Sequence, residues 1–203
     1  AQAEGKQILR REPAVDLVIG PQSYQNLPEL LARESRSRHV DTEFPVDDKF
    51  KSLPVPSNER AKARGVSAFV TIQEGCDKFC TFCVVPYTRG SEYSRPVADV
   101  VAEVKRLADV GIREVTLLGQ NVNAYGVDFG DQQAFAKLLR ECGKIEGLDR
   151  VRFTSPHPRD FTDDVIAAMA ETPNVMPHLH MPLQSGSDRI LQAMRRSYRV
   201  DRY

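Results

Sequence analysis

From Val66 onward, short β-branched runs alternate four times with amphipathic helical patterns, and no other feature limits the fold as strongly. The predicted strands are "AFVTIQEG", "EVTLLGQN", "RVRFTSPHP" and "VMPHLHMPLQ". The predicted helices are "SRPVADVVAEVKRLADVG", "QQAFAKLLRECGKIEG", "FTDDVIAAMAE" and "SDRILQAMRR". Four β–α units in series require a parallel sheet with right-handed crossovers. Four strands cannot close a barrel, so the expected fold is α/β, an incomplete TIM-like (β/α) barrel over residues 66–203. Helix boundaries are marked by Ser94 as N-cap with Pro96 in the first turn, by Gly111 at a C-terminal cap, and by Thr162 as N-cap ahead of Asp163 and Asp164.

Ahead of the barrel, residues 1–35 read as a helix, a short buried strand (Leu17, Val18, Ile19), a Gly-Pro turn and a helix over 27–34. That is the closing piece of an α/β domain. Residues 36–65 are rich in proline and charge with little apolar periodicity, the pattern of a linker. The chain reads as an internal segment of a longer protein. No apolar run approaches the ~20 residues of a membrane span. Lys plus Arg and Asp plus Glu are 28 each, so no global field attracts a polyanion, and any contact with nucleic acid must come from a local patch. The basic group Arg195, Arg196, Arg199 and Arg202 could supply one, although such a cluster is more often a solvated helix face.

In parallel α/β folds ligands bind beyond the carboxyl ends of the strands. Three of the four cysteines lie there, after the first barrel strand, in "EGCDKFCTFCVVPYTRG". The spacing C-x3-C-x2-C lets Cys76, Cys80 and Cys83 wrap one metal centre. Taken alone it leaves open a [4Fe–4S] cluster with one open iron, a structural zinc lacking a nearby fourth ligand, and coincidence. Its place at a strand end in a β–α series favours the cluster. Cys142 falls on the stripe Phe135, Leu138, Cys142, Ile145 and reads as a buried structural thiol. His157, His178 and His180 fall near strand ends too, but polar residues commonly line barrel interiors, and metal ligation is not the expected role.

On the cysteine motif, and on "LLGQNVNAYG", "CVVPYTRG" and "FTSPHP", the chain resembles the radical S-adenosylmethionine superfamily and, within it, the tRNA isopentenyladenosine methylthiotransferases. The resemblance implies that Cys76, Cys80 and Cys83 hold a [4Fe–4S] cluster whose open iron chelates S-adenosylmethionine. It implies that Phe82 flanks the cofactor's adenine and that Gly119, Gln120 and Asn121 receive its methionine amino group. Glycine allows close approach there, and amides hydrogen-bond an ammonium without adding charge. Gln184 and Ser185, in "LQSGSDR", are candidates for contact with cofactor or substrate, with Ser187 capping the next helix. Arg89 and Arg95 could neutralise a carboxylate or a phosphate, or could be ordinary loop arginines.

The implied reaction replaces the C2 hydrogen of N6-isopentenyladenosine, beside the anticodon, with a methylthio group through a 5′-deoxyadenosyl radical. The implied partners are the tRNA anticodon stem-loop and an electron donor such as flavodoxin, with the protein a cytoplasmic monomer away from membranes. The family also binds an auxiliary [4Fe–4S] cluster through three N-terminal cysteines, which these 203 residues lack. This segment alone is therefore expected to hold one cluster and to be inactive in methylthiolation. The rival expectations are the same chemistry on a ribosomal-protein aspartate or another tRNA adenosine, and a non-catalytic RNA-binding module carrying zinc or a cluster.

Overall fold

The computed structural model describes residues 1–32, 38–44, 50, 57–63 and 65–203. The chain forms two compact units, one of Ala1–Val55 with Val84–Gly90, the other of Pro56–Cys83 with Ser91–Tyr203.

In the first unit, α1 (Gly5–Arg11) leads into β1 (Leu17–Ile19), a 3-10 turn over Pro21–Asn26 and α2 (Leu27–Ala32). The end of the expected 27–34 helix lies outside the described residues. β2 (His39–Asp41) pairs in parallel with β1, Val18 opposite Val40. This strand falls where the sequence reads as linker. Three residues are too few to show a period, and the strand exists through its pairing with β1. Asp41 also accepts the Ser23 hydroxyl at 2.6 Å.

In the second unit, α3 (Asn58–Ala63) again lies in the expected linker, yet its Ala61 is buried in the core. Most of the remaining linker lies outside the described residues. β3 (Ser67–Thr71), β6 (Glu114–Leu118) and β7 (Arg150–Phe153) form a parallel sheet in the order β3-β6-β7. A two-stranded antiparallel ribbon, β4 (Gln73–Glu74) with β5 (Tyr93–Ser94), stands at the end of β3. Helices α5 (Val97–Asp109), α6 (Ala134–Gly143) and α7 (Asp163–Glu171) come after β3, β6 and β7, and α8 (Asp188–Ala193) comes after α7 with no described strand between. The remaining helix, α4 (Val85–Arg89), groups with the first unit, where the Gln22 side chain donates to the Arg89 carbonyl at 2.9 Å.

The core follows the predicted stripes. Val70, Val115, Leu117, Val151 and Phe153 of the sheet pack with Val100, Val104 and Leu107 of α5 and with Phe135, Leu138, Leu139 and Cys142 of α6. The Phe135 and Phe153 rings meet edge to face at 5.2 Å. Each large side chain so buried contributes ~1.5–3 kcal/mol relative to leaving it exposed. Cys142 is fully buried, as the stripe predicts, and burial pushes its thiol up to about 12.

Two local expectations are corrected. The fourth strand does not form: Val175 makes a single parallel bridge to Val151, and no described strand follows. Pro177 and Pro182 remove two backbone donors from that stretch, which suits an irregular edge better than a ladder. Ser94 does not cap α5, whose N-cap is Pro96. It belongs to β5 instead, where its hydroxyl accepts the Gly126 N–H at 2.9 Å and its own N–H donates to Asp128 at 2.8 Å. Those bonds fasten the loop after β6 to the ribbon.

Gly126 (φ +89) and Gly130 (φ +86) flank a 3-10 turn in that loop, both in the left-handed region. A Cβ on Gly126 would meet the Ala134 Cβ at 2.1 Å, whereas one on Gly130 meets nothing within 4 Å. Both alanine substitutions should cost the ~1–2 kcal/mol of left-handed backbone. Gly126→Ala should cost ~1–3 kcal/mol more through overpacking. Urea unfolding of the two variants checks this, and equal losses would show that the contact at Ala134 relaxes freely.

Candidate functional site

The three parallel strands point their carboxyl ends the same way, and the loops that leave them share one polar network. Its root is Gln73, whose side chain is entirely buried at the end of β3. The Gln73 amide donates to the Gly75 carbonyl at 3.0 Å and accepts the Asn121 backbone N–H at 3.4 Å. A Cβ on Gly119 would come within 2.7 Å of the Gln73 Oε1 and 3.1 Å of the Val122 Cα, so glycine is required there. Gly75, at φ +84, turns the chain into the cysteine loop, and its N–H donates to the Gln120 Oε1 at 2.7 Å. The loop is closed at its base by β4 and β5, Gln73 opposite Ser94 and Glu74 opposite Tyr93.

Charge fixes the first turn of the loop. Lys78, between Cys76 and Cys80, pairs with Asp160 from the segment after β7 at 2.7 Å, both side chains largely shielded. The Asn121 Nδ2 donates to Asp160 at 2.9 Å and to Glu92 at 3.2 Å. Glu92 and Asp77 exchange backbone-to-side-chain bonds at 3.4 and 3.3 Å. Burial would raise the Asp160 carboxyl, but the Lys78 ammonium and the Asn121 amide outweigh it and hold the group below the usual carboxylate range. Glu92 moves the other way, raised by burial against the pull of Asn121 and Lys78.

The second half of the loop is held by the chain after α8. The Thr81 N–H donates to the Met194 carbonyl at 3.2 Å and its hydroxyl to the Ala193 carbonyl at 3.4 Å. The Arg196 Nη1 lies 3.2 Å from the Cys80 Sγ, and the guanidinium rests on the Tyr198 ring, 5.2 Å from its centre. Arg196 is thus half-buried against a cysteine and not part of a solvated face. The Tyr198 hydroxyl donates to the Leu183 carbonyl at 2.6 Å.

Cys80 is buried, Cys76 and Cys83 are half-buried, and all three are free thiols. Burial raises the Cys76 thiol to about 11. Among the described residues no three His, Cys, Asp or Glu side chains converge as a metal site. The donor set still fits a soft metal cluster in kind: three unpaired thiols within eight positions of one loop, with no competing disulfide. Around it lie buried polar atoms without a protein partner, the Asn121 Oδ1 and the Arg196 Nε. Such orphans are rare in chains that satisfy themselves.

The other expected site residues are placed as follows. Phe82 is 56 % exposed, and Phe79, at φ +48, is 48 % exposed. Gly119, Gln120 and Asn121 stand at the end of β6, with the Gln120 carbonyl oxygen and the Asn121 amide nitrogen already engaged. Gln184 is exposed at φ +70, and the Ser185 hydroxyl accepts the Ser187 N–H at 3.2 Å, within the turn before α8. Arg95 donates to the Thr71 carbonyl at 2.9 Å and to the Glu103 carboxylate at 2.6 Å, so within this chain its charge is already paired. His157 is buried while His178 and His180 are exposed. The sequence reading missed Lys78, Glu92 and Asp160 as a group. Only the position of Lys78 between two cysteines hinted at it, since its partner lies 82 positions away.

Residues 70–203 match the sequence model of the Radical SAM superfamily. Solved structures are similar in fold. One is the radical S-adenosylmethionine methyltransferase TsrM from Kitasatospora setae, with tryptophan and a SAM analog bound; it is 18% identical, with a TM-score of 0.57, over 82% of this chain and 29% of that one. Another is the cobalamin-dependent S-adenosylmethionine radical enzyme OxsB, 14% identical with a TM-score of 0.63, over 97% of this chain and 32% of that one. The chain thus spans about a third of the length of the structures it resembles. Among the described residues no helix is long and apolar enough to cross a membrane.

His157 gives the site a pH signature. Its backbone exchanges two bonds with the Asn123 side chain, at 2.7 and 3.0 Å, and its ring meets Tyr198 edge-on at 5.3 Å. Burial first, then the Arg196 charge, lowers its pKa from 6.5 to about 4. The unfolded chain therefore binds a proton between those values that the folded chain refuses. The associated stability is complete above about pH 6.5 and is lost as pH falls toward 4, on the order of 2–3 kcal/mol. Chemical denaturation of wild type and His157→Gln across that window should show a flatter profile in the variant. Parallel profiles would mean that His157 protonates without strain.

Proposed function

Because the chain belongs to the radical S-adenosylmethionine superfamily, whose members use a [4Fe–4S] cluster with S-adenosylmethionine, we propose that it is the radical domain of a MiaB-like tRNA methylthiotransferase. The proposed reaction places a methylthio group on C2 of N6-isopentenyladenosine in the anticodon stem-loop. The observation that supports the reading is that Cys76, Cys80 and Cys83, "GQNVNAYG" and "TSPHP" follow β3, β6 and β7 in turn, beyond the carboxyl ends of the three parallel strands.

Cys76, Cys80 and Cys83 would hold the cluster. When bound, it supplies the single electron that starts radical chemistry from S-adenosylmethionine, the route an unactivated aromatic C–H bond needs. The chain's own groups do the rest. Gln73 and Gln120 fix the root of the cysteine loop, and Lys78 with Asp160 fixes its first turn. The Asn121 Oδ1, buried and unpartnered, is an acceptor for the cofactor's ammonium, with Glu92 and Asp160 supplying negative charge beside it. Phe82, exposed between Cys80 and Cys83, would cover the adenine and exclude water. A flavodoxin-type donor in the cytoplasm and a monomeric enzyme complete the proposal.

Two measurements test it. Anaerobically reconstituted protein should carry one iron–sulfur cluster whose reduced EPR signal shifts on adding S-adenosylmethionine; oxygen-stable, colourless zinc would sink the radical reading. Disrupting the gene that encodes this chain should leave tRNA with isopentenyladenosine lacking its methylthio group, read by mass spectrometry of digested tRNA. Unchanged tRNA together with loss of a methylthio group from a ribosomal-protein aspartate would replace the substrate and keep the chemistry.

A further inference from the structure

We propose that Arg196 is a positioning residue that sets the reduction potential of the cluster through its hydrogen bond to Cys80. This rests on the assignment of Cys80 as a cluster ligand.

Four observations carry it. The Arg196 Nη1 lies 3.2 Å from the Cys80 Sγ, within reach of an N–H···S bond. The guanidinium is held in place by the Tyr198 ring at 5.2 Å, and Tyr198 is itself anchored by its hydroxyl on Leu183. Its charge is not cancelled: among the described residues no carboxylate pairs with it, whereas Lys78, between Cys76 and Cys80, is neutralised by Asp160 at 2.7 Å. Finally, its Nε is buried with no partner in the chain, a donor that a cluster sulfur would satisfy. A mere tether would not need this arrangement. Thr81 already fastens the loop to the same segment through the Met194 and Ala193 carbonyls, with two neutral bonds.

The physical consequence is directional. Reduction adds one electron, taking the cluster core from 2+ to 1+, with the electron supplied by an external one-electron donor such as dithionite. The added negative charge is spread partly over the ligand sulfurs. A fixed positive charge and N–H donor at one of them stabilises the reduced form more than the oxidised form and raises the potential. Arginine suits the task because it stays protonated.

The test is an EPR-monitored redox titration of anaerobically reconstituted wild type, Arg196→Lys, Arg196→Gln and Arg196→Met, with iron and sulfide content measured on each sample. The expected order of midpoint potential is wild type highest, then Lys, then Gln and Met, at equal cluster content. Wild-type potential in a cluster-loaded Gln or Met variant would overturn the proposal. So would a Gln variant that folds by circular dichroism but holds no cluster, since Arg196 would then be a structural tether. Should Met not fold, Lys and Gln provide the same comparison. Absence of iron from the wild type would instead refute the cluster assignment, which separates that failure from this one.

Discussion

The site depends on one buried amide. Gln73 lies beyond the last residue of β3 with no exposure at all, and a side-chain amide buried without partners costs ~1–3 kcal/mol. Both of its ends are used, one on the Gly75 carbonyl and one on the Asn121 N–H. The amide therefore welds the root of the cysteine loop to the loop that follows β6, and it fits only because Gly119 has no side chain. The cysteines can sit on a long irregular segment and still be placed, because the segment's origin is as fixed as the sheet.

Outward from that root, polar contacts tie the loops to one another. Lys78, Asp160, Asn121, Glu92 and Asp77 form a chain of charged and polar contacts that crosses three loops. Asp160 and Glu92 share the Asn121 amide, yet their acidities diverge, one lowered by the nearby ammonium and the other raised by burial. A cluster of opposed charges removed from water binds its members in a definite arrangement, because any lost partner leaves an uncompensated buried group. This is how a stretch with almost no regular structure becomes a scaffold for ligands.

Much of this was legible in the sequence, and most of the part that was not has one cause. Parallel strands, helix stripes, the buried Cys142 and the cysteine loop at a strand end all follow from periodicity and spacing, which are local. The two-residue ribbon β4–β5, β2 and the helix α3 in the supposed linker are decided by partners distant in sequence, whereas the fourth strand is undone by its own Pro177 and Pro182. Ser94 shows the ambiguity directly. As a serine two residues before Pro96 it has the signature of a cap, but Gly126 and Asp128 claim it for β5. Arg196 was misread for the same reason: its meaning lies in Cys80, 116 positions earlier.

The groups at the strand ends divide into engaged and exposed ones. At the strand ends the polar residues are largely committed to each other: Gln73 and Gln120 to Gly75, Asn123 to His157, and Lys78 to Asp160. That committed layer lies within residues 70–203, the stretch that matches the superfamily. Beside it stand exposed side chains: Phe82 between two cysteines and Gln184 ahead of α8. An aromatic ring left 56 % exposed between two cysteines adds nothing to the core, so packing alone does not explain Phe82.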